Sequence, residues 1–546
     1  MMEARTATGT PRWGMVVDIN RCVGCQTCTI ACKHANDTLP GVQWRRVLDV
    51  EQGRFPDVER LFLVTGCQHC AEPPCVPVCP TGATRQREDG LVTQDYDICI
   101  GCAYCAVACP YDARTIVHQQ RGYYGRETVQ ERATAHPERL GVAQKCNFCQ
   151  DRVDAGLANG LKPGIDPEAT PACSAACIAK AIHFGDFNDP KSNVSLLARD
   201  NPSFRMHEQL GTEPQIRYLY TTPAVPGRDA EAEDEERETD PANPLVGGLQ
   251  TLWDWRAAMN WCFGGVSSGL AIMAWVAAQT GVIEAAKLPV VFVAAALLMA
   301  VGLFFVFLKI GRQLRFWRAV LRPQTSWMTR ELYAVAVFYP AVAASFLWPQ
   351  PALFALTALA ALAFLLCQAK ILHLARGIPA WRAPLVPWMI AATGLLEGYG
   401  ALGVALLFVV GAASPGWVLA GMLLAAANFL LWRQYVASAR REGIVPLSRR
   451  ALEALAPWIY VLGHALPVVL LAVALLIPVT TPASLALAGL AAIAGSAAWK
   501  FALIVNAGYR QGFALAKLPQ RGSGTRAAPP RLAPVSSDYI HRTSEK

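Results

Sequence analysis

The chain has 546 residues, of which 53% are hydrophobic and 16% are charged, and its 49 Lys and Arg outnumber its 41 Asp and Glu. The charged fraction is far below the roughly 25% of soluble proteins, which excludes a single soluble domain. Sixteen of the 18 cysteines precede residue 178, whereas the long apolar runs all follow residue 256. This separation predicts two unlike domains in one chain, and it excludes a disordered chain and a small disulfide-bonded secreted protein.

Residues 1–220 predict a domain of short strands and turns punctuated by Gly, Pro and Cys. The first 20 residues contain no apolar segment followed by a small-residue cleavage site, so we expect no secretory signal. The twin arginine Arg45-Arg46 lacks the hydrophobic segment that follows it in an export signal. We therefore expect this domain in the reducing cytosol, where dense cysteine indicates metal binding and not disulfides.

The sixteen cysteines form four groups of four. The first and third groups share the spacing C-x2-C-x2-C-x3-C, the second has two extra residues in its middle gap, and the fourth contains a 23-residue insertion. The groups are Cys22, Cys25, Cys28 and Cys32; Cys67, Cys70, Cys75 and Cys79; Cys99, Cys102, Cys105 and Cys109; and Cys146, Cys149, Cys173 and Cys177.

This spacing is typical of ferredoxins. Three cysteines at x2 intervals wrap one cubane cluster, and the fourth, on the next turn, serves the neighbouring cluster. Zinc is the alternative for any CxxC pair, but closely spaced triplets are not zinc-ribbon patterns. The sequence therefore predicts four [4Fe–4S] clusters.

An acidic segment follows this domain. Eight Asp and Glu residues lie between positions 229 and 240, so residues 221–256 are expected to be a solvated, flexible linker; a binding role for the acidic run is the alternative.

Residues 257–510 predict an all-α bundle that crosses a membrane eight times. A hydrocarbon core of about 30 Å needs roughly 20 helical residues. The expected spans are 257–279, 289–310, 332–349, 351–373, 386–410, 415–437, 457–478 and 483–505.

The distribution of basic residues predicts the orientation of the bundle. Within the bundle and the basic tail 511–546, nearly all the Lys and Arg lie on one side, whereas the connections on the other side carry Lys287 alone. By the positive-inside rule, we expect a multi-pass protein of the cytoplasmic (inner) membrane, with the cysteine-rich domain and both termini in the cytoplasm.

The cysteine segments resemble a known family. DINRCVGCQTCTIACKHAND, GCQHCAEPPCVPVCPTGA, DYDICIGCAYCAVACPYDAR and QKCNFCQDR are similar to the four-cluster electron-transfer subunits of the dimethyl sulfoxide reductase family of molybdenum oxidoreductases. The resemblance implies an α+β, ferredoxin-like fold over 12–190. Cys102 stands where the nitrate reductase branch has Trp and a three-iron cluster, so four cubane clusters are expected. Ile178 replaces the usual Pro, which affects local geometry but not ligation.

The resemblance also implies how the groups exchange ligands, because the first group shares two clusters with the fourth, and the second shares two with the third. The implied ligand sets, named here by letter, are set A, Cys22, Cys25, Cys28 and Cys177; set B, Cys146, Cys149, Cys173 and Cys32; set C, Cys67, Cys70, Cys75 and Cys109; and set D, Cys99, Cys102, Cys105 and Cys79.

The apolar half resembles the eight-span anchor subunits that accompany those proteins. KIGRQLRFWRAVLRPQTSWMTRELYA looks like their loop between spans 2 and 3, and IPAWRAPLVP like their loop between spans 4 and 5. In that family, a glutamate that begins span 3 and a histidine that ends span 2 help to bind quinone. Glu331 matches the glutamate, and Lys309 takes the place of the histidine. His464 is a further candidate for proton exchange.

These inferences predict an electron-transfer and anchor subunit that links a molybdopterin catalytic subunit to the quinone pool, with menaquinone or ubiquinone as its exchangeable substrate. The chain itself would react with quinone but not with the partner's substrate. A cytoplasmic sulfite dehydrogenase type is favoured; the alternatives are a dimethyl sulfoxide or polysulfide reductase subunit and a hydrogenase-type electron-transfer subunit. Because only two histidines lie in the predicted spans, no haem is expected. No nucleic-acid partner is expected.

Overall fold

The computed structural model describes residues 9–54, 57–220, 239–240, 242–408 and 413–513. Most of the predicted acidic linker and most of the predicted basic tail lie outside these residues. The described part consists of an α+β domain followed by a helical bundle, in the order that the composition predicts.

A four-stranded mixed sheet forms the centre of the N-terminal domain, with the strand order β8-β1-β10-β9, and β1 is parallel to β10 but antiparallel to β8. Three two-stranded hairpins, β2-β3, β4-β5 and β6-β7, carry the connections between the cysteine groups. The strands are β1 Trp13–Asp18, β2 Arg45–Arg54, β3 Asp57–Gly66, β4 Thr84–Gln86, β5 Val92–Gln94, β6 Thr115–Ile116, β7 Ala143–Gln144, β8 Ile182–Asp186, β9 Ser203–Phe204 and β10 Ile216–Leu219.

Short helices follow the cysteine loops of this domain. They are α1 Thr27–Ala35, α2 Tyr104–Val107, α3 Val129–Ala133, α4 Gln150–Ala158, α5 Ala172–Ala175 and α6 Asn193–Asp200.

Long helices make up the rest of the described chain. They are α7 Trp255–Gln279, α8 Leu288–Lys309, α9 Trp327–Leu347, α10 Pro351–His373, the short α11 Pro379–Arg382, α12 Val386–Ala405, α13 Pro415–Ser438, α14 Pro446–Trp458, α15 Leu466–Leu476 and α16 Thr481–Phe501. A π-helical turn, Ile459–Ala465, joins α14 to α15 into one continuous rod. Proline is the first residue of α10, α13 and α14, where its missing N–H costs no helical hydrogen bond.

Within the described residues, seven helices are long and apolar enough to cross a membrane, against eight predicted spans. The fifth predicted span corresponds to α12, which forms a 20-residue helix but is not among the seven. Glu397 and four glycines lower the hydropathy of α12. The count of eight spans is therefore not confirmed, although a helix is present at each predicted position.

Arginines of the connection between α8 and α9 fasten the two halves together. Arg312 donates to the Leu140 carbonyl at 2.8 Å, and Arg315 donates to the Cys99 carbonyl at 3.2 Å. Arg318 reaches a backbone carbonyl of the same domain. One buried apolar cluster also continues from the third cysteine group into the bundle. The two halves thus share a core and a set of charged hydrogen bonds.

Candidate functional site

The cysteine loops have a backbone that suits an anionic group. Gly24 and Gln26 flank Cys25 with φ values of 69° and 61°, and Gly101 and Ala103 flank Cys102 with φ values of 71° and 66°. Left-handed residues on either side of a cysteine turn the successive N–H groups toward the inside of the loop, which forms an anion-binding nest. The first and third groups therefore present the same cradle.

In the described part of the chain, none of the sixteen cysteines forms a disulfide, and most of them are buried; Cys25 is exposed. Burial raises the pKa of the Cys105 and Cys109 thiols to about 12 each. A thiolate at this depth needs a compensating positive charge, such as that of coordinated iron. The donor chemistry therefore fits iron–sulfur clusters.

The thiols affect one another in groups. Burial raises the pKa of Cys28, and the nearby Cys177 raises it further. Burial raises the pKa of three other thiols, and neighbouring thiols raise it further. These are Cys32, with the neighbours Cys146, Cys173 and Cys149; Cys70, with the neighbours Cys67, Cys75 and Cys109; and Cys102, with the neighbours Cys105, Cys79 and Cys99. In the described part of the chain, no three His, Cys, Asp or Glu side chains converge closely enough to hold one metal ion. Sets of four more widely spaced thiols suit a polynuclear cluster.

Backbone and side-chain N–H groups point at several of these sulfurs. The donors are Thr84 N to Cys79 Sγ at 3.4 Å, Phe148 N to Cys146 Sγ at 3.4 Å, Ala181 N to Cys177 Sγ at 3.2 Å and Asn36 Nδ2 to Cys149 Sγ at 3.6 Å. Hydrogen bonds to ligand sulfurs stabilise the charge of a cluster and tune its potential.

Two buried arginines, which the sequence did not single out as functional, lie among the thiols. Arg45 is 0% exposed and Arg114 is 3% exposed. Burial lowers the pKa of each, but neighbouring thiols, led by Cys173 for Arg45 and by Cys75 for Arg114, outweigh that effect and raise it. Arg114 Nη2 lies 3.1 Å from Cys75 Sγ. The signal that could have identified them is their position beside the cysteine groups.

A cavity of about 490 Å³ lies where the third cysteine group meets α8 and α9. Its wall contains Cys102, Trp253, Lys309 and Glu331, and mostly aromatic and aliphatic side chains, many of them from α7, α8 and α9, line the remainder. The cavity therefore combines a mostly apolar wall with a few polar groups, as sites for organic cofactors do.

Lys309 and Glu331 occupy this cavity from different helices. Lys309 Nζ donates to the Cys102 carbonyl at 3.3 Å and lies 4.5 Å from the centre of the Trp253 indole ring. Glu331 is buried, and its Oε1 has no hydrogen-bond partner among the described residues. One acid and one base thus face the same space beside a cysteine loop.

His464 lies elsewhere. It lines a much smaller cavity with Thr393, Asn428 and Ser496, and its Nδ1 is 3.0 Å from the Ile459 carbonyl oxygen. The structure does not bring His464 to the cavity of Lys309 and Glu331.

Glu397 of α12 has an oppositely charged partner. Its Oε2 lies 2.6 Å from Lys500 Nζ, and both side chains are 0% exposed. Lys500 Nζ also donates to the Trp261 carbonyl at 3.1 Å. The positions of the two residues along their helices do not by themselves predict this contact, because it depends on the length of the lysine side chain.

Comparison with known proteins identifies the cysteine-rich half. Residues 58–124 match the family model described as a 4Fe-4S dicluster domain. The chain is 40% identical to a selenate reductase subunit of Mesobacillus selenatarsenatis over 224 residues, which cover 38% of this chain and 72% of that protein.

Two further relatives give the same result. A sulfite dehydrogenase subunit of Allochromatium vinosum is 39% identical over 38% of this chain and 81% of its own length. A putative dimethyl sulfoxide reductase iron-sulfur subunit of Halobacterium salinarum is 37% identical over 42% of this chain and 86% of its own length. The chain therefore belongs to the iron–sulfur electron-transfer subunits of the dimethyl sulfoxide reductase family of molybdenum oxidoreductases, joined here to a helical membrane region.

Proposed function

We propose that this chain carries electrons between a molybdopterin catalytic subunit and the membrane quinone pool. The observation that carries the proposal is the shared cavity, whose wall includes Cys102 of the third cysteine group together with Lys309 and Glu331. A quinone head bound there would lie against the loop of a cluster ligand. Relatives of the cysteine-rich half are named as subunits of selenate, sulfite and dimethyl sulfoxide enzymes, which supports a separate catalytic partner.

We propose that sets A, B, C and D each hold one [4Fe–4S] cluster. Such clusters, when bound, supply electron transfer one electron at a time. Burial chiefly raises the pKa of Cys28 and of Cys32, and the nearby Cys177 and Cys146 respectively raise it further, which supports the exchange of fourth ligands between the first and fourth groups.

Electrostatic effects between thiols of different sets also support an order of the four clusters along the protein. Besides the larger effect of burial, Cys28 of set A raises the pKa of Cys173 of set B, and Cys67 of set C raises the pKa of Cys146 of set B. In the same way, burial and then Cys75 of set C raise the pKa of Cys105 of set D. These effects support the order A, B, C, D, with D next to the proposed quinone cavity.

The exposed end of this series is the proposed docking face for the catalytic subunit. Cys25 of set A is exposed, and three large apolar residues of the same cysteine segments, Val23, Ile30 and Ile178, are 51%, 64% and 68% exposed. Exposed apolar groups around a cofactor end are typical of a surface that a partner covers.

At the quinone end, Glu331 and Lys309 have complementary roles. Oxidation of a quinol releases two protons and two electrons, and quinone reduction takes them up. Glu331 is the proposed group that exchanges a proton with one quinone oxygen. Lys309, held by the Cys102 carbonyl, would donate a hydrogen bond to a quinone oxygen.

We favour a sulfite dehydrogenase-like complex with the cluster domain in the cytoplasm. The bias of Lys and Arg toward one side of the bundle supports this orientation, and a sulfite dehydrogenase subunit is among the relatives. A quinol-oxidising reductase of the dimethyl sulfoxide or polysulfide type is the second candidate, supported by the similar identity to a dimethyl sulfoxide reductase subunit.

Metal analysis of the complex tests the proposal. The complex, extracted gently from native membranes through a tag on this chain, should contain about four irons per cluster and one molybdenum in a large partner. It should then reduce a quinone analogue when sulfite is added. Nickel in place of molybdenum would assign the chain to a hydrogenase-type complex, and a lone chain with iron would contradict the partner.

A further inference from the structure

A row of buried polar atoms continues from the quinone cavity into the bundle. Five side-chain oxygens on four helices have no hydrogen-bond partner among the described residues. They are Glu331 Oε1 on α9, Gln368 Oε1 on α10, Asn260 Oδ1 and Ser268 Oγ on α7, and Glu397 Oε1 on α12. Buried oxygens in such numbers are normally satisfied by ordered water.

The contacts along this row connect Glu331 to the buried ion pair. The Gln368 side chain interacts with Glu331, and its Nε2 donates to the Asn260 carbonyl at 3.2 Å. The next carbonyl, that of Trp261, accepts from Lys500 Nζ. Asn260 and Trp261 also line the quinone cavity, so Trp261 contacts both that cavity and Lys500 of the pair.

Two consecutive glycines of α7 provide the space for these polar groups. A Cβ atom at Gly264 would meet the Gln368 amide, and one at Gly265 would meet both Lys500 Nζ and Glu397 Oε2. The close packing of α7 is therefore arranged around polar side chains and not around apolar ones.

The two helices that carry the ion pair, α12 and α16, also line the small cavity of His464. Thr393 and Ser496 contribute to that cavity, and each lies one helical turn before a member of the pair, Glu397 and Lys500 respectively. Thr393 Oγ1 donates to Asn428 Oδ1 at 3.0 Å. His464, in the same cavity, is only half-buried.

We propose that the Glu397–Lys500 pair is a proton-exchange site that serves the quinone cavity through water, with His464 at its outer end. The inference rests on the proposed quinone function. During quinol oxidation, both O–H bonds of the quinol break and the two protons pass in turn to Glu331, while the two electrons leave one at a time toward the [4Fe–4S] cluster that set D would hold. Each proton then moves through water to the Glu397 carboxylate and on toward His464, which frees Glu331 for the next. Quinone reduction runs the same transfers in reverse.

A purely structural ion pair makes a different prediction, which a double substitution reveals. Removing one partner of a buried pair is strongly destabilising, whereas replacing both with neutral groups is often tolerated. Glu397→Gln with Lys500→Met should therefore restore the stability lost in Glu397→Gln alone. If the pair exchanges protons, this double variant still turns over with quinone at least tenfold more slowly than wild type.

The experiment uses the whole complex in detergent or liposomes. Wild type, Glu397→Gln, the double variant and Thr357→Val are compared. Thr357 is the matched control because its hydroxyl bonds Ser345 inside the bundle, away from this row. Three quantities are measured: iron content, the rate of cluster reduction by an artificial one-electron donor, and quinone-coupled turnover in H₂O and D₂O. Redox-difference infrared spectra supply a direct signal from the carboxyl group of Glu397.

The proposal expects normal iron and normal artificial reduction in the double variant, slow quinone turnover with a larger solvent isotope effect, and loss of a carboxyl infrared band. Turnover of the double variant at the wild-type rate, with the band unchanged, would overturn it. A wild-type complex that never exchanges electrons with quinone would instead contradict the proposed function, and the infrared comparison separates the two failures.

Discussion

The indole N–H of Trp253 donates to the carbonyl oxygen of Cys102 at 3.1 Å. The same carbonyl accepts from Lys309. Trp253 is itself almost fully buried and stacks on Trp381 at 5.6 Å between ring centres. One peptide group of the third cysteine loop is thus held by Trp253, just before α7, and by Lys309 at the end of α8, which fixes the distance between the proposed set D and the proposed quinone cavity.

Replacing Glu331 with Gln should lower quinone-coupled turnover by about 100-fold or more, because proton transfer by a positioned side chain contributes roughly 10²–10⁴-fold to a rate. Iron content and reduction by an artificial donor should stay unchanged. Steady-state assays with a quinone analogue provide the measurement. Glu442→Gln, an exposed substitution of the same chemistry, is the control, and equal rates for the two variants would remove Glu331 from the mechanism.

Substitution of Lys309 by Met should weaken the interaction with quinone. A hydrogen bond from a charged donor contributes about 1.5–3 kcal/mol, so we expect KM for the quinone analogue to rise by roughly 10–100-fold. Lys309→Arg should retain part of the affinity because it keeps a charged donor. A Met variant with unchanged KM would show that Lys309 only supports the Cys102 loop.

Arg114 should set the reduction potential of the clusters proposed for sets C and D. Arg114→Gln removes a buried positive charge beside Cys75, which makes adding an electron less favourable and lowers the midpoint potential. Coulomb's law at an effective dielectric constant near 20 gives an effect on the order of 100 mV. Redox titration followed by electron paramagnetic resonance measures the shift. Arg85→Gln, an exposed position on β4, should leave the potentials in place.

Ile178 should contribute to docking of the catalytic subunit. An Asp at this 68% exposed position places a charge in the proposed apolar interface, and we expect affinity to fall by about 2 kcal/mol, or roughly 30-fold. Co-purification of the partner gives the measurement, with iron content as the check on folding. Leu157→Asp, at the end of α4 far from Cys149, is the comparison; equal loss of the partner in both variants would argue against a localised interface.

The sequence predicts the elements whose chemistry is local. The spacing of Cys22, Cys25 and Cys28 determines a loop conformation by itself, and hydropathy locates the helices. The resemblance of two adjacent spans singled out Lys309 and Glu331, and the structure places both in one cavity; the binding of quinone there stays a prediction. These features depend on neighbours in the chain, which is why the sequence alone reaches them.

The pairing of Glu397 with Lys500 depends on contacts across 103 residues. Counting along each helix gives these residues different depths, and only the packing of α7, α12 and α16 shows that the lysine side chain spans the difference. The charge environment of Arg114 is likewise set by four cysteines from two groups. Hydropathy also leaves the number of spans unconfirmed, because α12 carries its polar residues on a helix enclosed by others.

The arginines of the connection after α8 bear on whether the cysteine-rich domain and the helical bundle need to be one polypeptide. Arg312 and Arg315 donate to carbonyls of the cysteine-rich domain. The two halves are therefore held together by noncovalent contacts as well as by the covalent chain. The relatives described above match only 38–42% of the chain, the cysteine-rich part. We therefore expect the two halves, made as separate polypeptides, to recognise each other and to form this junction again.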